Sequence, residues 1–378
     1  MSLASLWSLD RSVAYLNHGS FGACPAAVLA AQSALRAEME REPVDFLSGS
    51  WQARIDAARE SVASFLGAEP ADLVFVPNAT AGVNAVLRSL TFAPGEEILV
   101  TTHTYNACRK AVEHVAARAG ARVVSVPLPF PCADDDSVIA MILGAVSART
   151  RLALIDHVTS PTALVLPLEP LVETLNARGV DTLVDGAHAP GMVPLVLSEL
   201  NAAYYTGNAH KWLCAPKGAA FLHVRRDRQA GLHPNVISHG YGAGFHAEFD
   251  WTGTDDPTPW LCIPEAIRFM GALLPGGWSE IRAVNHALIV AAREVLLDAL
   301  GVSAPCPERM LGSMASIPLP PAAGAREPRG LHDWLRARGV EAWLHPHPVP
   351  LLRISAQLYN EIGEYRKLAR LMREALRG

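Results

Sequence analysis

The chain alternates short apolar runs with longer stretches in which apolar residues recur at every third or fourth position. The runs are LVFV at 73–76, EILV at 97–100, RVVSV at 122–126, LALI at 152–155, TLVD at 182–185 and AAFLHV at 219–224, and their β-branched, unbroken character predicts strands. The stretches between them, about 79–90, 105–120, 136–147 and 168–178, predict helices. Strands separated by helices need crossover connections, so the pattern predicts an α/β fold with a mostly parallel sheet flanked by helices.

Residues 26–41 and 51–66 also predict helices. Beyond about residue 260 the pattern changes to a long helix over 277–300, short strands near 313–318 and 350–355, and a last helix over about 360–376. The expected organisation is a large domain over 23–260, a smaller α+β C-terminal domain over 261–378, and an N-terminal segment over 1–22. The Gly- and Pro-rich segments 233–260 and 318–330 read as loops. Asp134, Asp135 and Asp136 precede a helix and read as its cap in preference to a metal site.

With 50% hydrophobic and 18% charged residues in 378, the composition excludes a disordered or fibrous chain. Thirty-two basic against 37 acidic residues give a net charge of −5 with no basic run, which removes nucleic acid and anionic membrane as partners and leaves small molecules. No apolar run approaches the roughly 20 residues of a membrane span, and the N-terminus lacks a basic segment followed by an apolar one. Six scattered cysteines without a CxxC pair fit a reducing compartment, so a cytoplasmic protein without a structural metal is expected.

Candidate chemistry concentrates in two segments. In YYTGNAHKWLCAPKG (204–218), Lys211 follows a strand and precedes a Pro/Gly turn; on its own it reads as a surface lysine. In VDGAHAPG (184–191), Asp185 closes a strand and His188 stands on the turn, at the strand end where open α/β sheets bind ligands. A third segment, PNATAGVN (77–84), opens a helix after a strand; amides at Ala79 and Thr80 and the Thr80 hydroxyl can cradle a phosphate, unless Asn78 is a plain N-cap. An amine, a strand-terminal acid and a helix N-terminus are what pyridoxal phosphate requires. The glycine fingerprint of a nicotinamide dehydrogenase is missing.

These motifs, with YLNHGSFG (15–22), EPVDFL (42–47), THTYNA (102–107), DHVTSPTALVLP (156–167), TGTDDPTPWLCIPEAI (252–267) and LLRISAQLYN (351–360), run in one order along nearly the whole chain. The sequence resembles the class-V aminotransferase group of fold type I pyridoxal-phosphate enzymes, and within it the isopenicillin N epimerase-like proteins. The resemblance implies Lys211 as the Schiff-base lysine, Asp185 on the pyridine nitrogen, His188 near the phenolic oxygen and Tyr105 stacked on the cofactor face. It places Asn208 and His210 on the phosphate side, and Thr254 at a phosphate across the interface of a homodimer. Arg353 is expected to hold the substrate carboxylate, with a buried ion pair as its alternative. Asn17 and His18, on an N-terminal segment folded over the site, are expected to face substrate, and Gly19 and Gly22 suit its tight path. His345 and His347 stand where this group lines the mouth, or are solvent-exposed.

Cysteine desulfurases carry a nucleophilic cysteine shortly before the carboxylate-binding arginine. Here that stretch is EAWLHPHPVPLLR, which disfavours persulfide chemistry. Epimerisation, β-elimination and transamination all remain open. The resemblance favours an epimerase acting at the α-carbon of an amino acid or amino-acid-containing peptide, with a cysteine desulfhydrase or aminotransferase as the alternative.

Overall fold

A computed structural model describes residues 3–320, 328–346 and 349–377. Twelve strands occur among the described residues: β1 (Ala14–Tyr15), β2 (Leu73–Val76), β3 (Glu97–Thr101), β4 (Arg122–Val126), β5 (Thr150–Asp156), β6 (Asp181–Asp185), β7 (Tyr204–Asn208), β8 (Ala220–Val224), β9 (Met314–Pro318), β10 (Val340–Glu341), β11 (Trp343–His345) and β12 (Leu351–Ser355). Seven of them form the central sheet in the order β2-β8-β7-β6-β5-β3-β4. Only β8 runs against its neighbours β2 and β7; the other pairs are parallel. This is the α/β sheet that the apolar runs predict.

The unbroken runs have a simple cause. Strands β2, β3, β7 and β8 are buried along their whole length, because helices cover both faces, and even their few polar residues, such as Glu97, Thr206 and Asn208, are buried. Edge strand β4 is the exception, with Arg122 and Ser125 exposed. The helices Ala26–Arg41, Trp51–Leu66, Ala79–Ser89, Asn106–Ala119, Leu168–Ala177 and Gly277–Leu300 coincide with the expected ones to within a residue or two. Asp134 caps Asp135–Gly144, its Oδ1 accepting the Ser137 amide at 2.7 Å. None of these helices is long and apolar enough to cross a membrane among the described residues.

A second sheet, β11-β12-β9, is antiparallel and packs on the long helix Gly277–Leu300, which also contacts the last helix, Ile362–Arg377. The small sheet and its helices thus follow the central sheet along the chain. Two segments depart from the loop reading. Residues 233–260 contain the helix Phe245–Asp250, held because Phe249 is buried and Arg59 donates to both Asp250 oxygens at 2.6 Å. Six residues are too few for a helical period to show in sequence. Of 318–330, residues 321–327 lie outside the described residues and a helix, Pro328–Arg336, starts within the remainder.

The N-terminal segment links the two parts. Strand β1 pairs in parallel with β10, and Ser355 donates its amide to the Leu16 carbonyl at 2.8 Å. The chain then crosses the turn that carries Lys211. Gly22 has φ of +71°, and a Cβ there would stand 2.1 Å from the His210 carbonyl oxygen and 2.9 Å from Lys211 Cα, so no other residue fits. At Gly19 a Cβ would meet Met314 Sδ at 2.3 Å.

Candidate active site

Strands β5, β6 and β7 end on one edge of the sheet at Asp156, Asp185 and Asn208, with Asp156 and Asp185 in direct register. That edge floors a cavity of about 510 Å³ whose wall includes Thr80, Tyr105, Asp156, Ser160, Asp185, His188, Asn208, His210 and Lys211. The fold thus brings together most of the residues that the sequence nominated, from five separate segments. Such clefts outside the carboxyl ends of strands are where open α/β sheets bind ligands.

Lys211 Nζ lies 3.1 Å from His188 Nε2. Trp212 Nε1–H points at His188 Nδ1 from 3.5 Å, which places the ring proton on Nε2 and makes the lysine amine the acceptor. Burial first, then the neighbouring Lys211 and Arg353 charges, holds His188 well below the ordinary imidazole range, so it stays neutral. Burial and the Arg353 guanidinium pull the Lys211 amine from 10.5 down to about 7. An uncharged amine at neutral pH is the form that attacks a carbonyl.

That depressed value has a measurable consequence. The unfolded chain keeps the ordinary value, so between about 7 and 10.5 it binds more protons than the folded one, and stability rises with pH across that window. Below the window both states hold the proton and the slope vanishes. Denaturant unfolding of the apoprotein at the two ends of the window is expected to show this rise in the wild type and to lose it in Lys211→Met. An identical rise in the variant would assign it to other groups.

Asp185 is buried and held at both oxygens: Oδ1 accepts the Ala187 amide at 3.1 Å and Oδ2 accepts the Cys108 thiol at 3.1 Å. Its neighbour Asp156 accepts the Tyr105 amide at Oδ1, 3.3 Å away, while its buried Oδ2 has no hydrogen-bond partner among the described residues. Burial and the adjacent Asp185 charge push Asp156 well above the usual carboxylate range. Tyr105 sits at the N-cap of Asn106–Ala119, half-exposed into the cavity, and burial raises its phenol above the ordinary value, so it stays protonated.

At the helix Ala79–Ser89 both readings of the sequence hold in part. Asn78 is the N-cap, its side chain accepting the Ala81 amide at 2.8 Å. The Ala79 amide does not face a ligand: Asn208 Oδ1 takes it at 2.8 Å, because the carboxamide at the end of β7 ties that helix to the sheet. Thr80 remains on the cavity wall with Asn208 and His210. His210 Nδ1 bonds the Ala219 carbonyl at 3.0 Å, and burial holds its pKa near 4.

Arg353 is 2% exposed and its partners are neutral: Ser160 O at 2.7 Å, Ser20 Oγ at 3.0 Å, Asn17 Oδ1 at 3.5 Å and the Trp343 ring, 4.1 Å below its carbon. No carboxylate among the described residues pairs with it, so the ion-pair alternative is set aside. Burial lowers it to about 9, still charged at neutral pH. Ser20 and Ser160, which hold it, both line the cavity.

His18, Asn17 and His345 take other places than those expected. His18 does not face substrate: Nδ1 bonds the Tyr359 hydroxyl at 2.8 Å, Nε2 the Lys211 carbonyl at 2.9 Å, and burial drops its pKa to about 3. It braces the lysine turn. Asn17 supports Arg353 from behind and donates to Glu341 at 3.1 Å. Thr254 is exposed and stands apart from the cavity wall of its own chain. His345 stacks near Trp343 at 4.6 Å without lining the cavity, and His347 lies outside the described residues.

The model of the family described as aminotransferase class-V matches residues 22–325, well over half the chain. The chain belongs to that family. Among its relatives, isopenicillin N epimerase of Streptomyces clavuligerus is 38% identical over 380 residues, covering 96% of this chain and 94% of the relative. An L-cysteine desulfhydrase of Arabidopsis thaliana is 31% identical over 395 residues, covering 95% and 87%. In structure, family membership agrees with a likeness to the cystine C–S lyase C-DES solved with its product cysteine persulfide: TM-score 0.82 at 22% identity, covering 96% of this chain and 98% of that one. That likeness speaks for the class-V fold alone.

Sequence reasoning missed Asp156, Ser160, Ser20 and Cys108. Asp156 carried the same signal as Asp185, an acid closing an apolar strand. The serines carried none, since they act only as supports of a guanidinium more than 190 residues away in sequence.

Proposed function

We propose that this protein is a pyridoxal-phosphate enzyme acting at the α-carbon of an amino acid or amino-acid-containing peptide, with epimerisation as its net reaction. One observation carries the substrate class: a buried guanidinium, Arg353, bonded among the described residues only to neutral oxygens, at the edge of the cavity that holds a lysine with its pKa lowered to about 7. A buried cation without an acid is costly, and an incoming α-carboxylate supplies the missing partner in the planar fork that arginine suits. The epimerase relative, matched almost end to end, supports the net reaction.

The cavity fits the cofactor. It has a low-pKa amine, paired strand-end acids with one unpartnered oxygen, and a helix N-terminus whose Thr80, with Asn208 and His210, suits a phosphate. Pyridoxal phosphate, when bound, supplies a carbonyl for the lysine and a pyridinium ring that accepts the electron pair left at Cα. Asp185, anchored at both oxygens, holds a proton on the ring nitrogen. His188 keeps the Lys211 amine oriented, and that amine, with its pKa near 7, takes the α-proton on its own face. With His18 withdrawn into the fold, Tyr105 is, among the described residues, the protonated ring group on the cavity wall that serves the opposite face. Thr254 has the exposure that a residue completing a second copy's phosphate site needs, and we carry the homodimer forward on that basis.

β-Elimination is the second reading, favoured by the desulfhydrase relative and by the reluctance of a phenol whose pKa is raised. It needs no donor on the opposite face. Incubation with a panel of L- and D-amino acids and aminoadipoyl peptides in D₂O separates the two. Solvent deuterium at Cα together with inverted product is expected. Stoichiometric pyruvate and sulfide from L-cysteine, with no inverted product from any substrate, would leave the lyase, and no exchange at all would overturn chemistry at Cα.

A further inference from the structure

Cys108 stands in the first turn of Asn106–Ala119, three residues after Tyr105, on the side of the helix that meets the sheet edge. It is fully buried, and its Sγ donates to Asp185 Oδ2 at 3.1 Å while the Ala187 amide holds Oδ1. Cys108 thereby ties the first turn of Asn106–Ala119 to the acid at the end of β6. Burial, with Asp185 and Asp156 close by, pushes the thiol well above its ordinary value, so it remains S–H and acts as a donor.

We propose that Cys108 is a positioning residue for Asp185: its thiol fixes Oδ2 toward the ring nitrogen of the cofactor. The inference rests on the assignment of Asp185 to that nitrogen. A carboxylate anchored only at Oδ1 can rotate about its last bond, and Oδ2 has no second protein donor among the described residues. The choice of a thiol is itself informative. S–H is a weak donor, so it restrains Oδ2 while leaving the oxygen's lone pairs to a stronger partner.

Packing and positioning predict opposite orders for two substitutions. Cys108→Val keeps the volume and removes the donor; Cys108→Ser keeps a donor and leaves a small void. Positioning predicts that the valine variant loses about tenfold in kcat with KM within about twofold, and that serine recovers most of the loss. In the holoenzyme loaded with ¹⁵N-labelled pyridoxal phosphate, the ring-nitrogen signal is expected to broaden and move toward the unprotonated position in Cys108→Val, part of the way to its place in Asp185→Asn. Valine at wild-type kcat with an unmoved signal, or serine worse than valine, overturns the proposal while the Asp185→Asn shift preserves the assignment of the acid. A signal unmoved in Asp185→Asn itself overturns both.

Discussion

Lys211→Ala folds, takes up pyridoxal phosphate without a borohydride-reducible link, and turns over amino acids more than about 10³-fold slower than the wild type, since it loses both the nucleophile and the proton carrier in one atom. The fold is expected to survive because the turn is held by backbone and by its neighbours: Lys211 N bonds the Asn208 carbonyl, Cys214 N bonds the Lys211 carbonyl, and His18 grips that same carbonyl. The amine contributes only its bond to His188. Borohydride treatment followed by peptide mass spectrometry checks the claim directly. A reduced cofactor adduct on any other lysine of the variant would move the assignment.

Arg353→Leu is expected to lower kcat/KM by on the order of 10²-fold, close to 3 kcal/mol, almost wholly through KM, because the guanidinium meets the carboxylate equally in ground and transition states. Cofactor affinity should stay near wild type, since the groups at the phosphate end, Thr80 and His210, make no contact with Arg353. The variant also leaves the Ser160 carbonyl and the Ser20 hydroxyl without their donor, which costs about 1–3 kcal/mol of stability. Arg353→Lys should recover the charge without the fork, and so only part of the affinity. An unchanged KM with lost cofactor would reassign Arg353 to the phosphate.

Much of this arrangement is legible in the sequence for one reason: a sheet covered on both faces makes most of its strands largely apolar runs, and polar residues at their ends stand out. Asp185 and Lys211 are visible on that ground. Asp156 obeys the same rule and was passed over because DHVTSP offers no lysine or glycine turn beside it to draw notice. His18 shows the opposite failure. A histidine in a segment folded over the site looks like a substrate contact, yet its two nitrogens are spent on Tyr359 and the Lys211 carbonyl, partners 341 and 193 residues away that no local pattern announces. The helix at 245–250 and strands β10 and β11 escape for want of length.

The strap from Ala14 to Gly22 also fixes the order in which the molecule can become active as it is made. Its partners are Val340, Glu341, Ser355 and Tyr359, so the strap waits for residues as many as 341 positions further along before it finds its place. The seven-stranded sheet, complete by Val224, can form long before then. During that interval the lysine turn lacks His18 beneath it, and the guanidinium has not been synthesised. A nascent chain can thus assemble its cofactor shelf without acquiring a working amine, and reactivity toward amino acids is withheld until Arg353 and Tyr359 have been made.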